Sequence, residues 1–465
     1  MWLSVVAILL LLQSCFGGPT RVPLRVFALS WLISIAPLVT GILVYPYLPY
    51  DTASFALTLA AYLGCFTVGA LLCDLNARRI VRPPESVVAA LVAREFSESL
   101  PVARLCWWIA IAGTVLLCVD FIALQGAGLE DIAALRDLYI GKSAASIYAR
   151  LSSVMTWGCL YCFGFALTYR TQLKLAGVLR FLVPILGFFL ISLFSAGRQA
   201  AFQIMLFTLL LLWLKGIRTP ASRKVRARGV WFALLISALM IAYMGYIAVV
   251  RNDAQISADM VEVLERIFDF NINPQFDAVV SAFGVGIRTT IIEGLLYFSS
   301  SIGLFAKFLQ LSFPQHFFGV MSFPIIFRQI EPITGLSVIG SYFLKVDTLI
   351  SAGVIGFGWT TGISSYILDF GTIGAGVLLL LQGYYSAHTW RRAISSFGFN
   401  DGMIAVVMAV AALYMPLFPA TSDTNLLFLW VFCVLARQRT LYLARWRRKA
   451  DKAVAGGAPA HGSAA

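Results

Sequence analysis

Charged side chains are scarce in this sequence. Asp, Glu, Lys and Arg together make up only 12% of the 465 residues, whereas hydrophobic residues make up 60%. An ordinary soluble domain has roughly a quarter of its residues charged. The composition therefore excludes a typical soluble domain and predicts a protein whose main solvent is lipid.

Motifs that bind nucleotides or metals are also missing. The sequence contains no glycine-rich P-loop, no HExxH pair, no cluster of Cys and His, and no Asp-x-Asp pair. Asp369-Phe370-Gly371 spells a triplet of protein kinases, but no glycine-rich loop or HRD sequence accompanies it. These absences argue against ATP-driven transport, zinc chemistry and kinase activity. We expect no cofactor and no metal site.

The sequence does contain long apolar runs. They include residues 26–48, 53–73, 105–124, 181–196, 200–214, 230–250, 365–385 and 426–436. A helix needs about 20 mostly apolar residues to cross a bilayer. The runs therefore predict an all-α polytopic membrane protein of the bacterial inner-membrane type.

Lysines and arginines are distributed unevenly among the connecting segments. Six basic clusters contain 25 of the 35: residues 21–25, 78–104, 170–180, 215–228, 391–392 and 437–452. With Asp74 and Asp401, which lie in the same connecting segments, these clusters account for 6 of the 22 acidic residues, and the other segments contain 10 basic and 16 acidic residues. Because basic residues mark the cytoplasmic side of membrane helices, the alternation predicts about eleven crossings, with a periplasmic N-terminus and a cytoplasmic C-terminus. It also explains the net charge of +13 without nucleic acid.

Two regions stand out from the single transmembrane domain predicted for residues 1–445. Residues 251–362 form one large periplasmic loop, which is too rich in Phe, Ile and Leu to be disordered. Within it, 291–311 and 317–327 are expected to be surface or re-entrant helices. If 291–311 instead crosses the membrane with a partner helix, the crossings number thirteen. The basic tail, 446–465, is predicted to be disordered in the cytoplasm.

Arginines in the predicted periplasmic segments are exceptions to the rule that basic residues mark the cytoplasmic side, so the presence of each has to be explained. Arg198 lies in a short turn between two apolar runs, where an ionisable group usually faces a cavity, a substrate or a partner. Arg251, Arg288 and Arg328 lie within the large loop. Because a guanidinium matches phosphate oxygens, the four arginines predict a site for a phosphorylated lipid headgroup. Structural ion pairs, such as Arg288 with Glu293, are the alternative.

Several short motifs follow one another along the chain. They are the turn Ser195-Ala196-Gly197-Arg198, the long outer loop, the aromatic and Thr-rich stretch 360–368, the triplet Asp369-Phe370-Gly371, and a glycine-rich helix from Gly374. Their order resembles that of the O-antigen polymerase (Wzy-type) family of oligosaccharide repeat-unit polymerases. The resemblance covers residues 181–392 and the helix layout. The Arg-x10-Gly repeats described for some members are absent after Arg198, Arg251 and Arg288.

The resemblance implies a metal-independent glycosyltransferase at the periplasmic face of the inner membrane. A growing glycan on undecaprenyl pyrophosphate would be transferred to a hydroxyl of an incoming lipid-linked repeat unit. Arginines would hold the pyrophosphates, and Asp369, Glu293 or His316 would accept the hydroxyl proton. For Asp369, an N-cap of the helix that starts at Gly371 is the alternative. The implied partners are undecaprenyl-pyrophosphate-linked glycans, membrane lipids and a polysaccharide chain-length regulator.

Two other functions stay open. An O-antigen ligase shares the layout but attaches polymer to the lipid A core, and such ligases carry a histidine shortly before the glycine-rich helix. Residues 358–362 contain none, and His316 lies well upstream. A lipid-linked oligosaccharide flippase predicts internal repeats and polar residues inside several helices, and we find neither. The polymerase is therefore favoured.

Overall fold

The chain folds into a bundle of α-helices. The computed structural model describes residues 2–15, 18–46, 53–76, 84–124, 146–194, 199–218, 231, 234–235, 238–239, 261–262, 265–266, 269–311, 316, 318–324, 326–327 and 361–456. Of these residues, 85% are helical. The helices are α1 (Trp2–Cys15), α2 (Val22–Val39), α3 (Ala53–Asn76), α4 (Glu85–Cys118), α5 (Ile147–Met155), α6 (Trp157–Thr168), α7 (Leu175–Leu182), α8 (Pro184–Phe194), α9 (Gln199–Arg218), α10 (Pro274–Ser281), α11 (Val285–Phe308), α12 (Gly362–Ser396), α13 (Phe399–Tyr414) and α14 (Thr424–Gly456). Two short strands, β1 (Leu43–Val44) and β2 (Asn271–Ile272), pair antiparallel.

Several of these helices match the thickness of a bilayer. Seven helical stretches in the described part are long and apolar enough to cross a membrane: Pro19–Val39, Ala53–Asn76, Ser86–Ile122, Arg150–Thr168, Gln199–Arg218, Ile291–Phe308 and Gly362–Ser396. Their length and composition agree with the predicted all-α membrane protein. Most of the run 230–250, expected as a further crossing, lies outside the described residues.

Basic clusters that are distant in the sequence meet at one end of the bundle, which we name the basic end. Two mostly buried carboxylates there each bind two arginines from different segments. The four ion pairs are Arg21–Asp74 (2.6 Å), Arg391–Asp74 (2.7 Å), Arg392–Asp401 (3.0 Å) and Arg437–Asp401 (3.2 Å). Arg218 joins them from α9, because its Nε donates to the Ala393 carbonyl at 2.7 Å. Clusters predicted to share one side of the membrane thus share one end of the fold.

Segments predicted to lie on the other side also contact one another, at what we name the polar end. The pairing of β1 with β2 joins the segment after α2 to the segment before α10. The first residue of α12, Gly362, donates its N–H to the Met415 carbonyl after α13 at 2.8 Å. Helices α2, α3, α9, α12 and α13 each run between the two ends. The contacts sort the connections into the same two groups as the charge pattern.

Two glycines allow α3 and α12 to cross in backbone contact. A Cβ added to Gly69 would lie 1.9 Å from the Leu380 carbonyl oxygen, and one added to Gly383 would lie 2.0 Å from that of Phe66. Small residues permit such close approach between membrane helices, where packing replaces the hydrophobic effect as the driving force. The crossing fixes the position of α12 in the middle of the bundle.

The segment 291–311, expected to lie at the membrane surface, is packed inside the bundle instead. Most of it belongs to α11, which packs against α2, and Ile292, Ile302 and Phe305 are fully buried. This stretch is also long and apolar enough to cross a membrane, which fits the alternative of a crossing helix. Arg288 and Glu293 lie in the first half of α11 and Lys307 in its last turn, 3.8 Å from Asp269, so residues 294–306 between them carry no charge.

Two further predictions differ from the structure. In the surface helix expected at 317–327, residues 318–322 form turns around Gly319, whose φ of +104° interrupts a helix, whereas 324 and 326–327 are helical. Helix α14 continues to Gly456, past residue 446, where the disordered tail was expected to begin. Residues 457–465 lie outside the described residues.

We expect Gly69→Ala to destabilise the protein, because the new methyl group would meet the backbone of α12. Overpacking of this kind costs about 1–3 kcal/mol. Gly64→Ala is the matched control on the same helix, since no atom lies within 4 Å of its Cβ position; it should be neutral or stabilising by up to about 1 kcal/mol. Thermal unfolding in detergent measures both, and equal effects would contradict the close crossing.

We also expect reporter fusions to follow the two ends. Alkaline phosphatase fused after Pro46, at the polar end, should be active, and the same enzyme fused after Asn76, at the basic end, should be inactive. The reason is that basic segments are retained in the cytoplasm. The reverse pattern would invert the orientation predicted from the charges.

Candidate functional site

The Asp369-Phe370-Gly371 triplet forms a kink inside α12. Gly371 has φ +72° and ψ 178°, so the helix is interrupted there and resumes with Thr372. A positive φ is easily adopted only by glycine. The triplet therefore places Asp369 in the last turn of the first half of α12, at the polar end.

Asp369 anchors a separate segment of the chain. Its Oδ1 accepts a hydrogen bond from the Met321 N–H at 3.0 Å, and its Oδ2 accepts from the Ser322 N–H at 2.7 Å and the Ser322 hydroxyl at 2.5 Å. Its backbone carbonyl accepts from the Phe318 N–H at 3.1 Å. The expected N-cap at the helix after Gly371 is thus wrong, because the carboxylate caps the turn 318–322 instead.

These contacts limit the chemistry of Asp369. The side chain is fully buried, and both carboxylate oxygens are engaged as acceptors. Because Asp369 is fully buried under the turn 318–322, a substrate hydroxyl could reach it only if that turn moved away, which would leave buried donors unpaired and is costly. The geometry makes Asp369 an anchor of the turn 318–322.

His316 lies at the same kink. Its ring atoms Cε1 and Nε2 are 3.1 Å from the position where a Cβ of Gly371 would be, and the residue is exposed. Glycine at 371 is therefore needed both for its φ angle and for the approach of the imidazole. The structure brings together two of the three candidate bases, which are far apart in the sequence. Glu293, the third, lies half-buried on α11.

Of the four candidate arginines, only Arg288 belongs to the described residues. Its Nε donates to Asp277 Oδ1 at 2.7 Å and its Nη2 to Asp277 Oδ2 at 3.1 Å. This bidentate pair occupies the face of the guanidinium that a phosphate would use. A phosphate bound at this Nε–Nη2 side would have to replace Asp277, whereas the Nη1 group makes no hydrogen bond to Asp277. Arg198, Arg251 and Arg328 lie outside the described residues.

A second buried carboxylate, Asp423, lies at the same end, just before α14. It accepts hydrogen bonds from the side-chain amides of Gln199 and Gln203 and, at 3.1 Å, from the Leu426 N–H. Burial raises the pKa of the Asp423 carboxyl, whereas these hydrogen bonds act in the opposite direction. Two residues earlier, the Thr421 hydroxyl donates to the Ser322 carbonyl. Hydrogen bonds therefore link the α12 kink to the start of α9 through the turn before α14.

Sequence reasoning missed most of this network. A signal existed for Asp423, because Ser-Asp-Thr-Asn before an apolar run is typical of a helix start. Gln199 and Gln203, one helical turn apart in an apolar helix, were a second signal. No sequence signal pointed to Ser322 or Thr421, since isolated hydroxyl residues are common in helical membrane proteins.

Among the described residues, no group of three or more His, Cys, Asp or Glu could hold a metal ion. The chain matches no family model, no curated protein and no solved structure. The chemistry of the polar end therefore follows from its geometry alone.

We expect Asp369→Ala to lower the free energy of unfolding by about 1–3 kcal/mol, because the Met321 and Ser322 donors would stay buried without an acceptor. Asp277→Ala is the comparison, since it removes a carboxylate from a partly exposed pair and should cost no more than about 1 kcal/mol. Thermal unfolding in detergent distinguishes the two. An equally small loss for both would show that Asp369 does not anchor the turn.

Proposed function

We propose that this protein is a polymerase of undecaprenyl-pyrophosphate-linked oligosaccharide repeat units in the inner membrane of a bacterium. The observation that carries the proposal is the α12 kink. There the triplet that resembles the Wzy-type family meets an exposed histidine and a turn anchored by Asp369. The proposal includes the eleven crossings and places the polar end in the periplasm, as the charge pattern predicts.

The reaction divides into two requirements. The oxygen of an acceptor hydroxyl forms a bond to the anomeric carbon of the growing glycan, while the bond from that carbon to the lipid pyrophosphate breaks. The hydroxyl proton passes to a base, and the pyrophosphate leaves on its lipid with the bonding electrons. A site therefore needs a proton acceptor and fixed positive charge beside the leaving group.

The residues at the polar end suit these two tasks differently. His316 is exposed and carries an imidazole, the side chain most often used for proton transfer near neutral pH. Asp369 holds the turn that follows His316 and is already engaged. We therefore assign proton acceptance to His316 and an anchoring role to Asp369. Arg198, Arg251, Arg288 and Arg328 remain the proposed pyrophosphate ligands.

One observation also favours the O-antigen ligase as a second candidate. In the sequence, no histidine directly precedes the glycine-rich helix, and this argues against the ligase. In space, however, His316 lies against Gly371, where that half of α12 begins. A ligase would transfer finished polymer to the lipid A core.

The resemblance also implies a chain-length regulator as partner of the polymerase.

Deletion of the gene in its host tests the proposal, with surface polysaccharide analysed on gels. Under the polymerase assignment, deletion leaves only single-repeat glycan on the lipid A core, and wild type restores the ladder. Full-length polymer stranded on the carrier lipid would instead identify a ligase. Absence of glycan from the outer face would identify a flippase.

Complementation with variants tests the site. We expect Arg198→Ala and His316→Ala to reach the membrane in normal amounts and to restore little or no ladder. His388→Ala is the matched control, because this histidine is also exposed on the bundle surface but lies near the basic end of α12, stacked on Tyr384. A full ladder from His316→Ala would remove His316 from the mechanism.

A further inference from the structure

Two helix starts converge on the Asp423 carboxylate. Asp423 directly precedes α14, and its Oδ1 accepts the Leu426 N–H in the arrangement of an N-cap. Its Oδ2 accepts the side-chain amides of Gln199 and Gln203 from α9. A negative charge is favourable near a helix N-terminus, where backbone N–H groups are unsatisfied. One carboxylate thus stabilises the beginnings of α9 and α14 together.

The two glutamines pin the first turn of α9 in particular. They lie one turn apart, so their side chains share a face of the helix. Gln199 is the first residue of α9 and directly follows Arg198 in the chain. With Asp423 only 6% exposed, water does not readily replace these hydrogen bonds. Asp423 therefore holds the first turn of α9 in place.

The segment that contains Asp423 also contacts the residues anchored at the α12 kink. Residues 420–425, which we name the 420–425 turn, contain Thr421, whose hydroxyl donates to the Ser322 carbonyl. Ser322 in turn donates twice to Asp369. Pro419, the residue before this turn, also packs closely on α12, because a Cβ on Gly362 would lie 3.0 Å from the Pro419 nitrogen. One short segment thus touches both the start of α9 and the segment that carries His316.

We infer that Asp423 is a positioning residue for the transfer reaction and that the 420–425 turn sets the separation between the start of α9 and the α12 kink. The inference rests on the proposed function. Transfer requires the group that holds the pyrophosphate and the group that accepts the proton to act on one substrate at once. A misplacement of about 1 Å can cost about 100-fold in rate. Asp423 acts through Gln199, Gln203 and the 420–425 turn.

Asp423→Ser tests this role, because serine keeps the N-cap of α14 but is too short to reach the glutamines. In purified protein in lipid nanodiscs with a lipid-linked repeat unit, we expect kcat per folded molecule to fall about 10- to 100-fold with KM little changed. Asp423→Asn should restore kcat to within about 3-fold of wild type, since glutamine amides can rotate to accept from an asparagine. Hydrogen exchange at the first turn of α9 should rise only in Asp423→Ser.

Asp401→Ser is the control, because it removes a buried carboxylate at the basic end. It should lower stability yet keep kcat per folded molecule. Equal kcat losses in Asp423→Ser and Asp401→Ser, or unchanged kcat in Asp423→Ser, would overturn the positioning role. If wild type does not extend lipid-linked glycans at all, the proposed function fails, and the positioning role with it. The hydrogen-exchange result would then still report on the hydrogen bonds from α9.

Discussion

The contact of α3 with α12 at two glycines is the constraint on which the arrangement of this bundle depends. Helix α12 runs the height of the bundle and carries Arg391 near one end and Asp369 near the other. Because Gly69 and Gly383 bring the two backbones together, α12 cannot slide without a clash. The ion pairs at the basic end and the anchored turn at the polar end are therefore held in a fixed relation. A larger residue at either glycine would disturb both ends.

Carboxylates act as junctions at both ends, but they are satisfied differently. At the basic end, Asp74 and Asp401 each bind two arginines, so their charge is compensated. At the polar end, Asp369 and Asp423 accept hydrogen bonds from backbone N–H, hydroxyl and amide groups, which carry no net charge. In the described part of the chain, no lysine or arginine pairs with Asp369 or Asp423, and an ionised carboxylate so placed favours cations nearby. Under the proposed function, this is a favourable setting for the arginines that bind pyrophosphate.

The sequence predicts the fold class well, because it follows from composition: long apolar runs need lipid. The sidedness of the basic segments stays a prediction. Sequence reasoning fails where the outcome depends on a partner that is distant in the chain. Asp369 could be assigned a helix cap, but not the turn 318–322 that it caps. The packing of 291–308 depends on its contact with α2, which is distant in the chain and which no local pattern reveals. The contact of His316 with Gly371 is likewise tertiary, and the residues next to His316 in the sequence do not predict it.

Under the proposed function, the choice between polymerase and ligase concerns the acceptor, and the residues at the α12 kink would not distinguish one acceptor from the other. A base that removes a proton from a sugar hydroxyl acts on that hydroxyl alone, whether a carrier lipid or the lipid A core lies behind it. Both reactions also release the same lipid pyrophosphate, so both need the same positive charge. Under the proposed function, His316 and the arginines therefore define the reaction class. Selection of the acceptor belongs to residues that contact the rest of the incoming glycan, and substitutions there should exchange one product for the other while the kink stays unchanged.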